Sequence, residues 1–284
     1  MSRFGKSLLL VLGSLICAQL FPAPALAQAS PTPLENTGRA DFDTFVGNVH
    51  VPSGRMLFTD TELLVDSPGI PILIERSYND RSYPGPEPLR SFHASNPLGQ
   101  GWTLSFWMRV HEDKDGSVTL LDDEGGVYVF AKTTSGAYVT PPGLYATLVK
   151  EGTGFKLLTK ENIVLTFSSA GILQSINNLR GLSLGMAYDS ENKITEIADT
   201  LGRKTLFAYQ DGLLAAIQSP LGISITYAYD SQKRLIRRTD TFGKTVDYEY
   251  DPASSKLVKL TTAADTLEYR FDELGRVLKE TSAA

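Results

Sequence analysis

Cysteine is almost missing from this sequence. The only one of 284 residues is Cys17, so no internal disulfide can form and the fold has to rest on packing and backbone pairing. Histidine is nearly as scarce. His50, His93 and His111 stand far apart, with no H-E-x-x-H pair to hold a metal. Neither a Gly-x-Ser-x-Gly nucleophile turn nor a phosphate-binding loop is present. "EDKDGS" (Glu112 to Ser117) has an Asp-x-Asp-Gly core but lacks the later ligands and closing Glu of a calcium loop, so it reads as a hairpin turn. No catalytic residue, metal ligand or cofactor site is expected. Positive charge is not in excess: 27 Lys and Arg face 32 Asp and Glu, for a net charge of -5. That balance argues against a nucleic-acid partner.

Long apolar runs are also missing, with one exception at the start. Arg3 and Lys6 precede the run Leu8 to Leu20, Pro22 and Pro24 end it, and Ala25-Leu26-Ala27 forms a small-x-small site. This is the pattern of a secretory leader, residues 1–27, cut between Ala27 and Gln28. Removing it takes away Cys17, makes the remainder more acidic, and leaves no membrane span. The protein is therefore expected to be exported, to the periplasm, the cell surface or the medium. Residues 28–40 read as a polar linker and 41–150 as a leading β domain, in which 83–97, rich in Pro and Gly, form a surface loop. Residues 151–284 read as repeated β structure.

The repeat is found by following one aromatic position. Phe167, Tyr188, Tyr209, Tyr229, Tyr250 and Phe271 are spaced 21, 21, 20, 21 and 21 residues apart. Asp189, Asp230, Asp251 and Asp272 follow four of these anchors; Ser168 and Gln210 follow the others. Glycine or Asn comes three or four residues after the anchor (Gly171, Asn192, Gly212, Gly275), Lys233 being an exception. A second Gly comes 13 or 14 residues after it (Gly181, Gly202, Gly222, Gly243), where the fifth unit has Ala264. Each unit thus carries two turn signals about ten residues apart, the signature of short antiparallel strands joined by tight turns. Before each anchor, apolar residues alternate with polar ones, as in Val246, Tyr248, Tyr250 against Asp247, Glu249. In the other strand the apolar pairs Leu173/Ile176 and Ile194/Ile197 are three apart, which calls for a β-bulge or for burial of both faces.

The pattern Y-D-x-x-G/N-x-Leu/Ile … Gly … Tyr, as in "YDSENKITEIADTLGRKTLFAY" and "FDELGRVLKET", resembles the YD repeat of bacterial Rhs proteins, also found in shell components of insecticidal toxin complexes and in animal teneurins. It covers about 104 residues, Phe167 to Phe271. Upstream, "GNVHVPSGRMLFTDTELLVDSPGIPILIERSYNDRS" (Gly47 to Ser82), "PLGQGWTLSF" and "DGSVTLLDDEGGVYVF" resemble the domain that precedes the repeats in that family. The resemblance implies an all-β fold in which antiparallel hairpin repeats form one continuous curved sheet, part of a shell, behind a β-rich N-terminal domain. It implies as partners further YD-repeat chain or a toxin domain. The family's shell-closing segment, self-cleaving region and toxin domain have no counterpart in this sequence.

Three functional classes follow. One is an exported structural scaffold, part of a shell or surface assembly. Another is a carbohydrate- or partner-binding module, which requires aromatics exposed together as a patch. The third is an enzyme, for which the site geometry is missing. In the scaffold reading the anchors and the turn residues Asp189, Asp230, Asp251, Asp272, Gly202, Gly222 and Gly243 are structural. An open sheet edge is expected at Tyr269 to Lys279.

Overall fold

The structure, a computed structural model, describes residues 45–46, 48–50, 54–79 and 96–283. Cys17, His93, the Ala27–Gln28 junction and the linker lie outside the described residues, as does nearly all of the Pro-rich stretch 83–97. All described regular elements are β-strands, in three antiparallel sheets whose strands neighbour one another in chain order.

The first sheet contains β1 (Phe45–Val46), β2 (Val49–His50), β3 (Arg55–Val65), β4 (Ile72–Asn79) and β5 (Trp102–Leu104). The second contains β6 (Arg109–Glu112), β7 (Val118–Leu121), β8 (Val127–Lys132) and β9 (Tyr138–Val139). The third runs through fourteen strands: β10 (Ala146–Glu151), β11 (Gly154–Thr159), β12 (Ile163–Phe167), β13 (Leu173–Asn178), β14 (Ser183–Tyr188), β15 (Ile194–Ala198), β16 (Lys204–Gln210), β17 (Leu213–Gln218), β18 (Ser224–Tyr229), β19 (Leu235–Asp240), β20 (Thr245–Tyr250), β21 (Leu257–Thr262), β22 (Thr266–Phe271) and β23 (Val277–Ala283). The first strand of this sheet straddles residue 150.

The repeat is therefore a hairpin. Each even-numbered strand from β12 to β22 carries an anchor at or next to its end, and the odd strand after it completes the hairpin. The register slips at every anchor: Tyr188 pairs with Ile194 but Ala187 with Glu196, leaving Thr195 as the extra residue. The same slip occurs at Phe167, Tyr209, Tyr229, Tyr250 and Phe271. This bulge explains the apolar spacing of three. It lets Ile194 and Ile197, or Leu214 and Ile217, turn to the same face, where all four are fully buried.

The irregular units are explained by turn length. At Tyr209 the turn is a tight Asp211-Gly212 pair, both at positive φ (52° and 81°), with Gln210 opposite Leu213. It is one residue shorter than its neighbours, hence the spacing of 20. In the fifth unit, six residues separate the paired Tyr250 and Leu257 instead of five, and the next turn, Thr262 to Asp265, closes one residue sooner, Thr262 N–H donating to Asp265 O at 2.8 Å. The two changes cancel, so the anchor spacing stays at 21 and Ala264 needs no glycine. Lys233 adopts the left-handed conformation (φ 62°) that Asn192 (φ 61°) takes two repeats earlier.

One apolar core runs between the leading strands and the inner face of the long sheet, from Met56, Ile72 and Trp102 to Phe155, Ile197, Leu235 and Tyr269. The open edge expected at Tyr269 to Lys279 is met only in part: β22, with Tyr269, pairs with β21 on one side and β23 on the other, while Val277 to Lys279 lie on β23. Among the described residues the last strand of the sheet is β23.

Candidate functional site

The anchors are built from the bulges outward. Tyr209 donates its hydroxyl to Ile194 O at 2.8 Å, Tyr229 to Leu214 O at 2.8 Å and Tyr250 to Leu235 O at 2.7 Å; Tyr188 bonds Leu173 O. Each acceptor lies 15 residues back, beside the bulge of the preceding hairpin. Burial pushes the phenols of Tyr229 and Tyr250 well above their usual range, so they remain protonated donors. The rings are half-buried against the core rather than exposed as a patch, which removes the stacking platform that carbohydrate binding required. More enclosed than the Tyr anchors are the aromatics two residues earlier, Phe207, Tyr227, Tyr248 and Tyr269, and the first anchor, Phe167, is itself buried.

The turn aspartates cap their own backbone. Asp230 Oδ1 accepts from the N–H of Gln232 and of Arg234, both at 2.9 Å, while Arg234 Nε reaches Oδ2 at 2.7 Å. Asp189 and Asp272 accept from the same two positions, and Asp251 from Ala253 and Ser254. Burial alone would raise the Asp230 carboxyl, but its bonds with Arg234 and Gln232 hold it below the usual range. The other turn of each unit has a cap that sequence reasoning missed, three residues before its glycine. Asn178, Asp199 and Asp240 serve there through Oδ1, and Ser219 through Oγ. The signal was present at that fixed offset, but three residue types share it.

The chemically richest place is the seam where β3, β4 and β5 meet β18 to β21. A bulge in β3, between Thr61 and Leu63, turns Glu62 inward. Glu62 accepts from Arg76 Nε and, at 2.9 Å, from Arg238 Nε. The side chains of Glu62 and Arg76 are fully buried. The Arg76 guanidinium lies 4.4 Å from the Trp102 ring centre and 5.0 Å from that of Tyr248, and those rings meet edge to face at 5.1 Å. Burial alone would lower the Arg76 pKa, but the charge of Glu62, with Tyr248 and Tyr227, raises it instead. Trp102 Nε1 donates to Tyr250 OH at 2.8 Å, which in turn donates to Leu235 O. Sequence reasoning missed this cluster too. Its trace is Arg238, which holds a position where other units carry Ile176, Ile197, Ile217 or Leu260.

Further bonds tie the leading strands along the sheet. Val110 N–H donates to Gly171 O at 3.0 Å, Leu214 N–H to Pro97 O at 2.8 Å and Val277 N–H to Gly54 O at 2.7 Å. Asn48 Nδ2 donates to Tyr269 OH at 2.8 Å. A cavity of about 60 Å³ opens between Leu73, Phe106, Met108, Leu165 and Leu184. Asp123 stands on its lining, and burial, reinforced by Asp122 and Glu124, pushes its carboxyl well above the usual range.

Glu112 to Ser117 forms the β6–β7 turn: Asp113 N–H bonds Ser117 O at 2.8 Å, and Asp115 Oδ1 accepts from Ser117 N at 2.9 Å. His111 has Asp113 at 3.8 Å as its neighbour. No group of three metal-ligating side chains occurs among the described residues. No helix among them is long and apolar enough to cross a membrane.

Comparison with known proteins places two families on the chain. A domain of unknown function, DUF6531, matches residues 47–130, and the RHS repeat matches residues 210–245 and 229–266. The tRNA nuclease WapA of Bacillus subtilis is 29% identical over 151 residues, which is 52% of this chain and 6% of that protein. The tRNA3(Ser)-specific nuclease WapA of Bacillus spizizenii matches to the same extent. The chain thus spans a small fraction of the curated relatives it matches. Among solved structures, the TcdB2-TccC3-Cdc42 crystal structure aligns with 80% of this chain and 15% of its own at 14% identity, with a TM-score of 0.37.

Proposed function

The chain belongs to the RHS-repeat family, with a DUF6531 region ahead of its repeats, and from that membership we propose that it is the N-terminal part of an exported shell or surface assembly associated with toxin encapsulation. Its role is structural. One observation carries this reading: fourteen strands follow one another in a single sheet, each Tyr anchor is bonded to the hairpin before it, and the leading strands fill the inner face. Hairpins that cannot be stable singly become so in a row. In this reading 28–40 is a linker, 41–150 the leading unit and 151–284 the repeats, and the anchors and turn residues carry no chemistry. Further YD-repeat chain or a toxin domain is the partner, and the leader delivers the product beyond the inner membrane.

The test is co-expression of the chain with its neighbouring reading frame. The two products should co-purify, and the neighbour should resist trypsin in the complex but not alone. Independent behaviour of the two would end the shell reading. Mass spectrometry of the exported protein should find Gln28 at its N-terminus; retention of residues 1–27 would end the export reading. The relatives' names make nuclease activity the second reading, and cleavage of a tRNA pool by the purified chain would establish it.

A further inference from the structure

Four successive turns along one side of the long sheet leave a large apolar side chain in solvent. Leu179 is 70% exposed, Leu201 62%, Leu221 62% and Phe242 80%. They close β13–β14, β15–β16, β17–β18 and β19–β20. The turns repeat every second strand, so the row advances by about 9.6 Å per step and extends about 29 Å. The corresponding turns on the opposite side carry residues such as Ser190, Glu191, Asp211, Ser231 and Gln232; among the described residues only the last of them, with Leu274, has a large exposed apolar group.

The row is held rigid. Each of its turns has its Asn, Asp or Ser cap, as described above. Neighbouring turns are also laced together in pairs: Thr200 Oγ1 accepts from Ser183 N at 2.9 Å and donates to Ser183 O at 3.0 Å. Thr241 does the same to Ser224, donating to its carbonyl at 2.9 Å. In both cases the hydroxyl binds inward and the next side chain, Leu201 or Phe242, is the exposed one. A surface fixed in this way loses little freedom on docking.

We propose that this turn edge is a self-association surface, on which the row packs against the same row of a second copy of this chain. Two rows with one period interdigitate without mismatch, and a two-fold axis makes the contact self-complementary. If each side chain covers on the order of 130 Å², the row buries roughly 500 Å² per copy and about 1,000 Å² in the pair, the size at which specific interfaces begin. A patch of that size on one surface is rarely left bare. Arg180 and Lys244 stand exposed at the two ends of the row and oppose association, so added salt should strengthen it.

Sedimentation velocity on the purified full chain, from about 1 to about 100 micromolar, tests this. A concentration-dependent dimer is expected, tighter at high salt. Leu201→Asp and Phe242→Asp should each weaken it at least tenfold with an unchanged circular dichroism spectrum. A monomer throughout the range overturns the proposal. So does a dimer that survives both substitutions but is lost in Leu278→Asp, since association would then run through the edge strand β23. Binding of the monomer to phosphatidylserine vesicles, weakened by salt and lost in the same two variants, would also overturn it and assign the row to a lipid surface.

Discussion

Glu62→Ala is the most informative single perturbation of the seam. The carboxylate accepts from Arg76 Nε and is shared with Arg238 Nε at 2.9 Å. Its removal leaves a fully buried guanidinium whose nearest remaining carboxylate among the described residues is Asp60 Oδ2, at 3.6 Å. Removing one member of a buried ion pair costs about 3–5 kcal/mol, mostly because the other charge stays buried. Arg238 is partly exposed and retains Asp240 at 3.6 Å, which places the expected loss near the lower bound, about 3 kcal/mol. Glu62→Leu combined with Arg76→Met removes both buried charges and should recover most of that loss. Urea unfolding followed by tryptophan fluorescence is the assay, since Trp102 touches the Arg76 guanidinium and reports on the site itself. A loss below about 1 kcal/mol for Glu62→Ala would refute the reasoning, as would a double variant no more stable than the single one.

Three further outcomes follow from the geometry. Tyr229→Phe deletes the bond to Leu214 O and should cost about 1 kcal/mol in urea unfolding; wild-type stability would show that the anchor hydroxyl contributes nothing. The lowered carboxyls of Asp230, Asp251 and Asp272 add stability that is full above the ordinary Asp pKa and drains as pH falls through their lower folded values. Thermal scans should therefore fall steeply below about pH 4, and replacing all three by Asn should flatten that slope; an unchanged slope would remove them as the cause. Gly171 and Gly202 are both left-handed (φ 75° and 76°), but a Cβ on Gly171 would stand 1.8 Å from Val110 O, while one on Gly202 would meet nothing within 4 Å. Gly202→Ala should cost about 1 kcal/mol and Gly171→Ala severalfold more; equal melting temperatures would contradict the seam at Val110.

The repeat half was legible because it is written locally. Each unit repeats an aromatic, a cap and a left-handed residue at fixed offsets, and hairpin pairing needs little beyond those. Even the apolar spacing of three could be read as a bulge. The second cap escaped because Asn, Asp and Ser all provide the same oxygen. The seam escaped for a different reason. Glu62, Arg76 and Trp102 come from non-repeating chain and meet Arg238 and Tyr248 across more than 140 residues, with no period to announce the contact. Arg238 alone hinted at it, as a charge in a column of Ile and Leu. The open edge was expected to begin at Tyr269, but β22 is covered along its length by Val277–Ala283, so only Val277 to Lys279 of the expected stretch lie on the edge strand.

Every Tyr anchor reaches toward the N-terminus. Its hydroxyl seeks a carbonyl made 15 residues earlier, so by the time a ring emerges its docking point already exists. Within the repeats this arrangement favours growth in one direction, each anchor closing a loop of about one repeat onto a hairpin already made, whereas the bonds from the leading strands to Arg238, Tyr250 and Tyr269 must wait for those residues. A structure assembled this way can be lengthened by duplicating units at its far end without redesigning the units already in place.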